Sequence, residues 1–197
     1  DFGYFTMGGS SPVNRVDYSN DTATASQKGD VANGQDSGSA SSTTHGYFGG
    51  GNPGLSSVGR LDYSNDTANS VARGPLTAAT RYLCGTSSRE NANPLKGPGN
   101  LEVPVAFGAF SRNLGPQGTD FGYFGGGHPS TVSTVDRIDY SNDTATAATK
   151  GPLSVARYEL AATGNASFGY FGGGHPGPKS TVDRIDYSND TADASPK

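Results

Sequence analysis

Phe121-Gly-Tyr-Phe-Gly-Gly-Gly127, with Ser133-Thr-Val-Asp-Arg-Ile-Asp-Tyr-Ser-Asn-Asp-Thr-Ala145 behind it, decides the fold. Tyr123 and Phe124 are neighbours on a strand, so they point to opposite faces. A strand with large apolar groups on both faces needs cover on both. Gly125–Gly127 end that strand, and Pro129 stops it from continuing. Ser133–Tyr140 is rich in β-branched residues and reads as a second strand. Ser141–Asp143 is a turn cluster, because Asn and Asp side chains fold onto nearby backbone N–H groups. Lys150-Gly-Pro152 is another turn. Leu153–Tyr158 and Leu160–Thr163 read as a further strand bent at Glu159, and Gly164-Asn165 as a hairpin turn into Phe168. No stretch keeps a 3.6-residue apolar period for three turns, so the chain is predicted to be all-β.

The same wording recurs. Asp-Tyr-Ser-Asn-Asp-Thr-Ala stands at Asp17–Ala23, Asp62–Ala68, Asp139–Ala145 and Asp186–Ala192, each time after a Gly-Tyr-Phe stretch. Its tyrosines, Tyr18, Tyr63, Tyr140 and Tyr187, are 45, 77 and 47 residues apart. Strand-bearing units of this period suggest propeller blades. The long step divides the chain into units of about 1–45, 46–91, 122–168 and 169–197. Between them, 92–121 is an insertion or a degenerate unit, in which Val103–Phe110 has the content of a strand. Lys150-Gly-Pro-Leu-Ser154 continues where the fourth unit stops at Lys197, so both ends read as cut from a longer array.

Composition narrows the function. The 197 residues include 30 Gly, 12 Pro, 10 Tyr and 9 Phe but no Trp. The aromatics recur with the repeat, which argues for order despite low hydrophobicity. A net charge of −4, with both signs dispersed, leaves no basic footprint for nucleic acid. No apolar run is long enough to span a membrane as a helix. The lone cysteine, Cys84, excludes an intrachain disulfide framework.

The unit resembles a kelch-type β-propeller repeat. Tyr170-Phe-Gly-Gly173 is similar to that family's double-glycine strand. Val182-Asp-Arg-Ile-Asp186 is similar to its second strand, with Asp186 at the family's Asp. Leu153-Ser-Val-Ala-Arg157 is similar to the first strand of a blade. Ile185 replaces the family's aromatic, and Ala192 stands where its Trp is expected. The wording Gly169–Gly174, Ser180–Ala192 and Lys150–Tyr158 also resembles repeats in virion structural proteins of tailed phages, notably those of cyanobacteria. The resemblance implies a kelch-like β-propeller of four to five four-stranded antiparallel blades, alone or within a larger ring or assembly. It implies a structural and binding module of a phage particle, virion-borne or extracellular, such as a tail fibre or surface appendage. Other virion chains, further copies of itself and host surface glycan would be its partners. No enzyme activity and no cofactor are expected. A secreted or cell-surface adhesion propeller is the alternative, and a kelch-type oxidase a third.

On this reading the repeat motif is scaffold, and binding belongs to the loops that differ between units: Thr6–Val13, Asn52–Ser57, His128–Thr134 and His175–Ser180. Asn52, His128, His175 and Lys179 are the candidate ligand-binding residues. Asn20, Asn65, Asn142 and Asn189 open Asn-Asp-Thr sequences and are glycosylation sites only in a eukaryotic secreted protein. Asp-Tyr-Ser-Asn-Asp lacks the carboxylates of a calcium loop and reads as an Asx turn. His128 and His175, a unit apart, are too distant to share a metal. An oxidase would need Cys84 joined to a tyrosine such as Tyr82, and no supporting His pair accompanies them. Arg137, Arg157 and Arg184 are expected to form pairs between blades.

Overall fold

The computed structural model describes residues 2–6, 12–32, 35–88 and 121–197. It is all-β, with four antiparallel sheets in which sequence neighbours pair as meanders. Sheet 1 contains β1 (Phe2–Thr6), β2 (Pro12–Asp17) and β3 (Ser26–Asp30). Sheet 2 contains β4 (Gly38–Ser41), β5 (His45–Gly49), β6 (Val58–Asp62) and β7 (Val71–Arg73). Sheet 3 contains β8 (Cys84–Ser87), β9 (Phe121–Gly125), β10 (Val135–Asp139) and β11 (Ala148–Lys150). Sheet 4 contains β12 (Ala161–Gly164), β13 (Phe168–Gly172), β14 (Val182–Asp186) and β15 (Ser195–Pro196).

The expected four strands per sheet hold in sheets 2 to 4. Sheet 1 has three, because among the described residues no strand pairs with the outer edge of β1. A cleft of about 360 Å³, lined in part by Phe2, Tyr4, Ser39, Ser41 and Thr86, adjoins that edge. The described residues do not close into a ring. Each complete sheet opens with a short strand ahead of its Gly-Tyr-Phe stretch. Register fixes this, with Gly38 opposite Gly49, Cys84 opposite Gly125 and Ala161 opposite Gly172. Phe121 belongs to β9, whereas 92–120 and the strand content at Val103–Phe110 lie outside the described residues.

Leu153–Tyr158 departs from expectation and forms no strand. Leu153 is drawn into the core and Arg157 is fully buried. The Arg157 guanidinium donates to the carbonyls of Gly173, Thr181 and Phe171, so the segment is fixed by side-chain bonds and not by a ladder.

The sheets stack on one another in chain order. Phe48 packs with Val13 of sheet 1 and with Val31, which directly follows β3. Phe124 packs with Tyr47 and Val58 of sheet 2, and Phe171 with Tyr123 and Val135 of sheet 3. The Gly-Tyr-Phe strands of sheets 2 and 3 therefore send their Phe back to the preceding sheet and their Tyr forward to the next. The two-faced burial predicted for Tyr123 and Phe124 is met, at 0% and 2% exposure in separate clusters. Along one side, β8 lies between β4 and β12. A Cβ on Gly85 would run into the carbonyl of Ser39, so glycine sets that spacing.

The repeated turn is a 3₁₀ turn in sheets 2 to 4, over Tyr63–Asn65, Tyr140–Asn142 and Tyr187–Asn189. Its first Asp caps it, as Asp139 Oδ1 accepts from both the backbone N and the hydroxyl of Ser141, at 2.9 and 2.6 Å. Its Tyr stacks on the Tyr of the preceding sheet: Tyr63 on Tyr4, Tyr140 on Tyr47, Tyr187 on Tyr123, with centroids 4.6–4.8 Å apart. Its second Asp is the hub of a clamp between sheets. Asp143 Oδ2 accepts from Tyr47 Oη at 2.9 Å and Arg60 Nη1 at 2.8 Å, and Arg73 Nε lies 3.3 Å from Oδ1. Asp66 repeats this with Tyr4, Arg15 and Lys28, and Asp190 with Tyr123, Arg137 and Lys150.

These buried phenols have a pH consequence. Burial holds Tyr4, Tyr47, Tyr123 and Tyr140 above the ordinary tyrosine value and pushes Tyr187 up to about 12. The fold thus favours the neutral phenol. Its contribution is fully present below the ordinary value near 10 and is lost as pH rises through the raised values. Urea unfolding at about pH 8 and about pH 11.5 is expected to show a clear fall in stability over that interval. Constant stability to pH 11.5 would exclude this contribution.

Candidate functional site

The loops that follow the Gly-Tyr-Phe strands meet the segments that lead into β4, β8 and β12. Two turns of backbone geometry place them. Gly50 and Gly126 have φ of 72° and 70°. A Cβ on Gly50 would lie 2.7 Å from the carbonyl oxygen of Thr80, and one on Gly126 would strike that of Arg157. Asp36, Tyr82 and Glu159, at equivalent positions two residues before β4, β8 and β12, have φ of 58°, 55° and 55°. Non-glycine residues adopt this region uncommonly, and it turns three side chains the same way. A backbone chain links them: Tyr82 N donates to the Asp36 carbonyl at 2.8 Å and Glu159 N to that of Tyr82 at 2.7 Å.

The result is a row of polar and aromatic side chains crossing three sheets. Asn52 N donates to the Gln35 carbonyl at 2.9 Å. Arg81 and His128 exchange two backbone hydrogen bonds, both 2.9 Å, and Tyr158 and His175 exchange two of 3.0 and 2.8 Å. Arg81 then ties neighbours together, donating from Nη1 to Asn52 Oδ1 at 3.1 Å and from Nε to His128 Nδ1 at 3.3 Å. Four rings follow on. The His128 ring meets Tyr158 edge-on at 5.2 Å, Tyr158 stacks on His175 at 5.7 Å, and Tyr82 lies 6.1 Å from His128. Glu159 Oε2 is 3.6 Å from His175 Nε2, and both side chains are about half exposed.

Three of the four expected ligand-binding residues, Asn52, His128 and His175, are therefore brought into one row. Lys179 is exposed and bonded to none of them. The loop from Thr6 to Val13 lies largely outside the described residues. Arg81, Tyr158 and Glu159 join the row although residue type does not single them out, and the positive φ of Glu159 is not written in residue type. The equivalence of Arg81-Tyr82 and Tyr158-Glu159 behind Gly-Pro-Leu is the pattern that marks them.

Partly exposed ring faces offer flat apolar contact, and the flanking guanidinium, amide, imidazole and carboxylate offer donors and acceptors. Among the described residues, no three His, Cys, Asp or Glu side chains are placed to hold a metal ion. Cys84 is buried, its thiol pushed up to about 12 by burial, and its Sγ points to the Gly125 carbonyl. Tyr82 meanwhile lies among the rings of the row. Arg137 makes the expected pair between sheets, and Arg157 pairs with Asp183 of sheet 4 at 2.6 Å. Arg184 makes no ion pair among the described residues and lies over the Phe168 ring at 4.5 Å. Asn20, Asn65, Asn142 and Asn189 are exposed on the repeated turns. In sheets 2 to 4 those turns leave the third strand at the end opposite to the row.

No protein-family model matches the sequence, and no curated protein does. Solved structures match, 115 chains in all. One of them, the structure of YjhT, superimposes with a TM-score of 0.61 at 14% identity over 95% of this chain. At that identity the likeness shows a shared fold and no more. The chain spans about half of that structure, 52% of its length.

Proposed function

We propose that the chain is a structural and binding module, four blades of a kelch-like β-propeller, whose Asn52–His175 row recognises a carbohydrate. The propeller reading is supported by sheets stacked face to face in chain order with β4, β8 and β12 gathered on one side. The observation that carries the binding reading is the run of Tyr82, His128, Tyr158 and His175 rings, edged by Arg81, Asn52 and Glu159 and set on loops over a rigid frame. A sugar presents an apolar C–H face, which stacks on such rings, and a rim of hydroxyls, which the flanking groups can bond. The setting we propose is a phage particle, with the module in a tail fibre or surface appendage that contacts host surface glycan. The wording of the repeat supports it. The module works by binding and performs no catalysis.

Titration of the chain against bacterial surface polysaccharides, after a glycan array has chosen among them, tests this. Tyr158→Ala and Tyr82→Ala are each expected to weaken binding about ten-fold or more, as loss of an aromatic anchor does. Absence of binding across the array, or binding untouched by both changes, would overturn it. The exposed Asn-Asp-Thr turns favour a second reading, a secreted adhesion propeller, in which Asn20 and Asn142 would carry glycan detectable by mass.

A further inference from the structure

We propose that a second copy of this chain docks head-to-tail on the first, sheet 1 of one on sheet 4 of the other, through the clamp that already joins the sheets within the chain. This stands independently of the ligand reading.

Three times within the chain, a forward face carrying Tyr, Arg and Lys or Arg closes on the next sheet's Asp. Sheet 4 carries the same forward set, with Tyr170 opposite Arg184 as Tyr123 is opposite Arg137. Lys197 follows at the place of Lys150. Among the described residues no Asp answers them. Arg184 Nε is buried without a hydrogen-bond partner, and Val182 is half-buried where Val58 and Val135 are 1% and 0% exposed.

Sheet 1 carries the complement. Asp21 is exposed, whereas Asp66, Asp143 and Asp190, its equivalents, are each 7% exposed. Phe5 is 53% exposed, against 3%, 2% and 0% for Phe48, Phe124 and Phe171. Tyr18 is 51% exposed, while Tyr63, Tyr140 and Tyr187 are stacked.

The two open faces thus match in charge, in apolar groups and in ring position. Arg184 and Lys197 meet Asp21, Phe5 enters beside Tyr170 and Val182, and Tyr170 stacks on Tyr18. The contact is heterologous, so each docked copy leaves one face of each kind free and assembly continues until a ring closes or a filament grows.

Sedimentation and light scattering on the full chain test this. The wild type is expected to exceed the mass of one chain, increasingly with concentration and less in high salt. Asp21→Ala and Arg184→Ala, both on open faces, are each expected to weaken association about 30-fold or more, as removal of one partner of a buried charge pair does. Mixing the two variants restores one intact interface with both outer faces disabled, so the mixture is expected to stop at a dimer. A wild type that stays monomeric at near-millimolar concentration would mean that something other than a second copy covers these faces. That result overturns the proposal, as does a mixture that remains monomeric or a single variant that associates as the wild type does.

Discussion

Arg157→Met is expected to lower the free energy of unfolding by about 3–5 kcal/mol, the cost of removing one partner from a buried ion pair. Arg157 and Asp183 are both 0% exposed and 2.6 Å apart. Without the guanidinium, the Asp183 carboxylate keeps only the backbone N of Ser154, at 3.0 Å. The carbonyls of Gly173, Thr181 and Phe171 lose a donor at the same time. The junction between sheets 2 and 3 handles the same place differently. There Asp136 accepts from Thr77 N at 2.8 Å and Thr77 Oγ1 at 2.7 Å, and Thr80 stands where Arg157 would be. At that junction the Thr77 hydroxyl supplies the second donor that the guanidinium supplies to Asp183. Urea unfolding of Arg157→Met, Asp183→Leu and the double variant separates the pair from its surroundings. The double variant is expected to recover most of the loss, since a well-packed apolar pair is about as stable as a buried ion pair. A loss below about 1 kcal/mol in Arg157→Met would show that water reaches Asp183.

Much of this frame is legible in the sequence because it is local. Tyr123 beside Phe124 demands cover on both faces, and Ser141-Asn-Asp143 bends the chain through its own side chains. The clamp is not legible in the same way. Asp143 sits in a turn cluster whose local bonding already accounts for an Asp, while its partners Tyr47, Arg60 and Arg73 lie a full unit or more upstream. Its traces are that Lys28, Arg73, Lys150 and Lys197 keep a positive charge at one place in the repeat, and Arg15, Arg60, Arg137 and Arg184 keep one at another. The binding row is legible in part. Asn52, His128 and His175 stand out because they replace one another behind the triple glycine. Tyr82 and Glu159 gain their positions from positive φ, which the packing around β4, β8 and β12 imposes and residue type does not announce. Leu153–Tyr158 misleads because its β-branched and aromatic content suits a strand, yet burial of Arg157 at a junction outweighs that propensity.

Asp143→Ala and Asp21→Ala are the same change at equivalent places in the repeat, and their expected effects differ by about 3 kcal/mol or more, because only one of the two carboxylates is buried with partners. Asp143, 7% exposed, receives Tyr47, Arg60 and Arg73 between sheets 2 and 3. Its removal leaves the Tyr47 hydroxyl, on a side chain 1% exposed, without an acceptor, and two cations facing each other across the gap. The stack of Tyr47 on Tyr140 remains, and contributes about 0.5–1.5 kcal/mol that limits the damage. Asp21 is exposed and bonded to none of the described side chains, so at a concentration where the chain is monomeric its removal is expected to change stability by less than about 0.5 kcal/mol. Thermal unfolding of both variants, monitored by near-ultraviolet circular dichroism of the tyrosines, gives the comparison within one protein. Equal effects would mean that the second Asp serves only its own turn. Because the clamp is the same at each junction, Asp66→Ala and Asp190→Ala are expected to follow Asp143→Ala. The smaller loss is expected at Asp66, where the stacked Tyr4 is itself only half-buried.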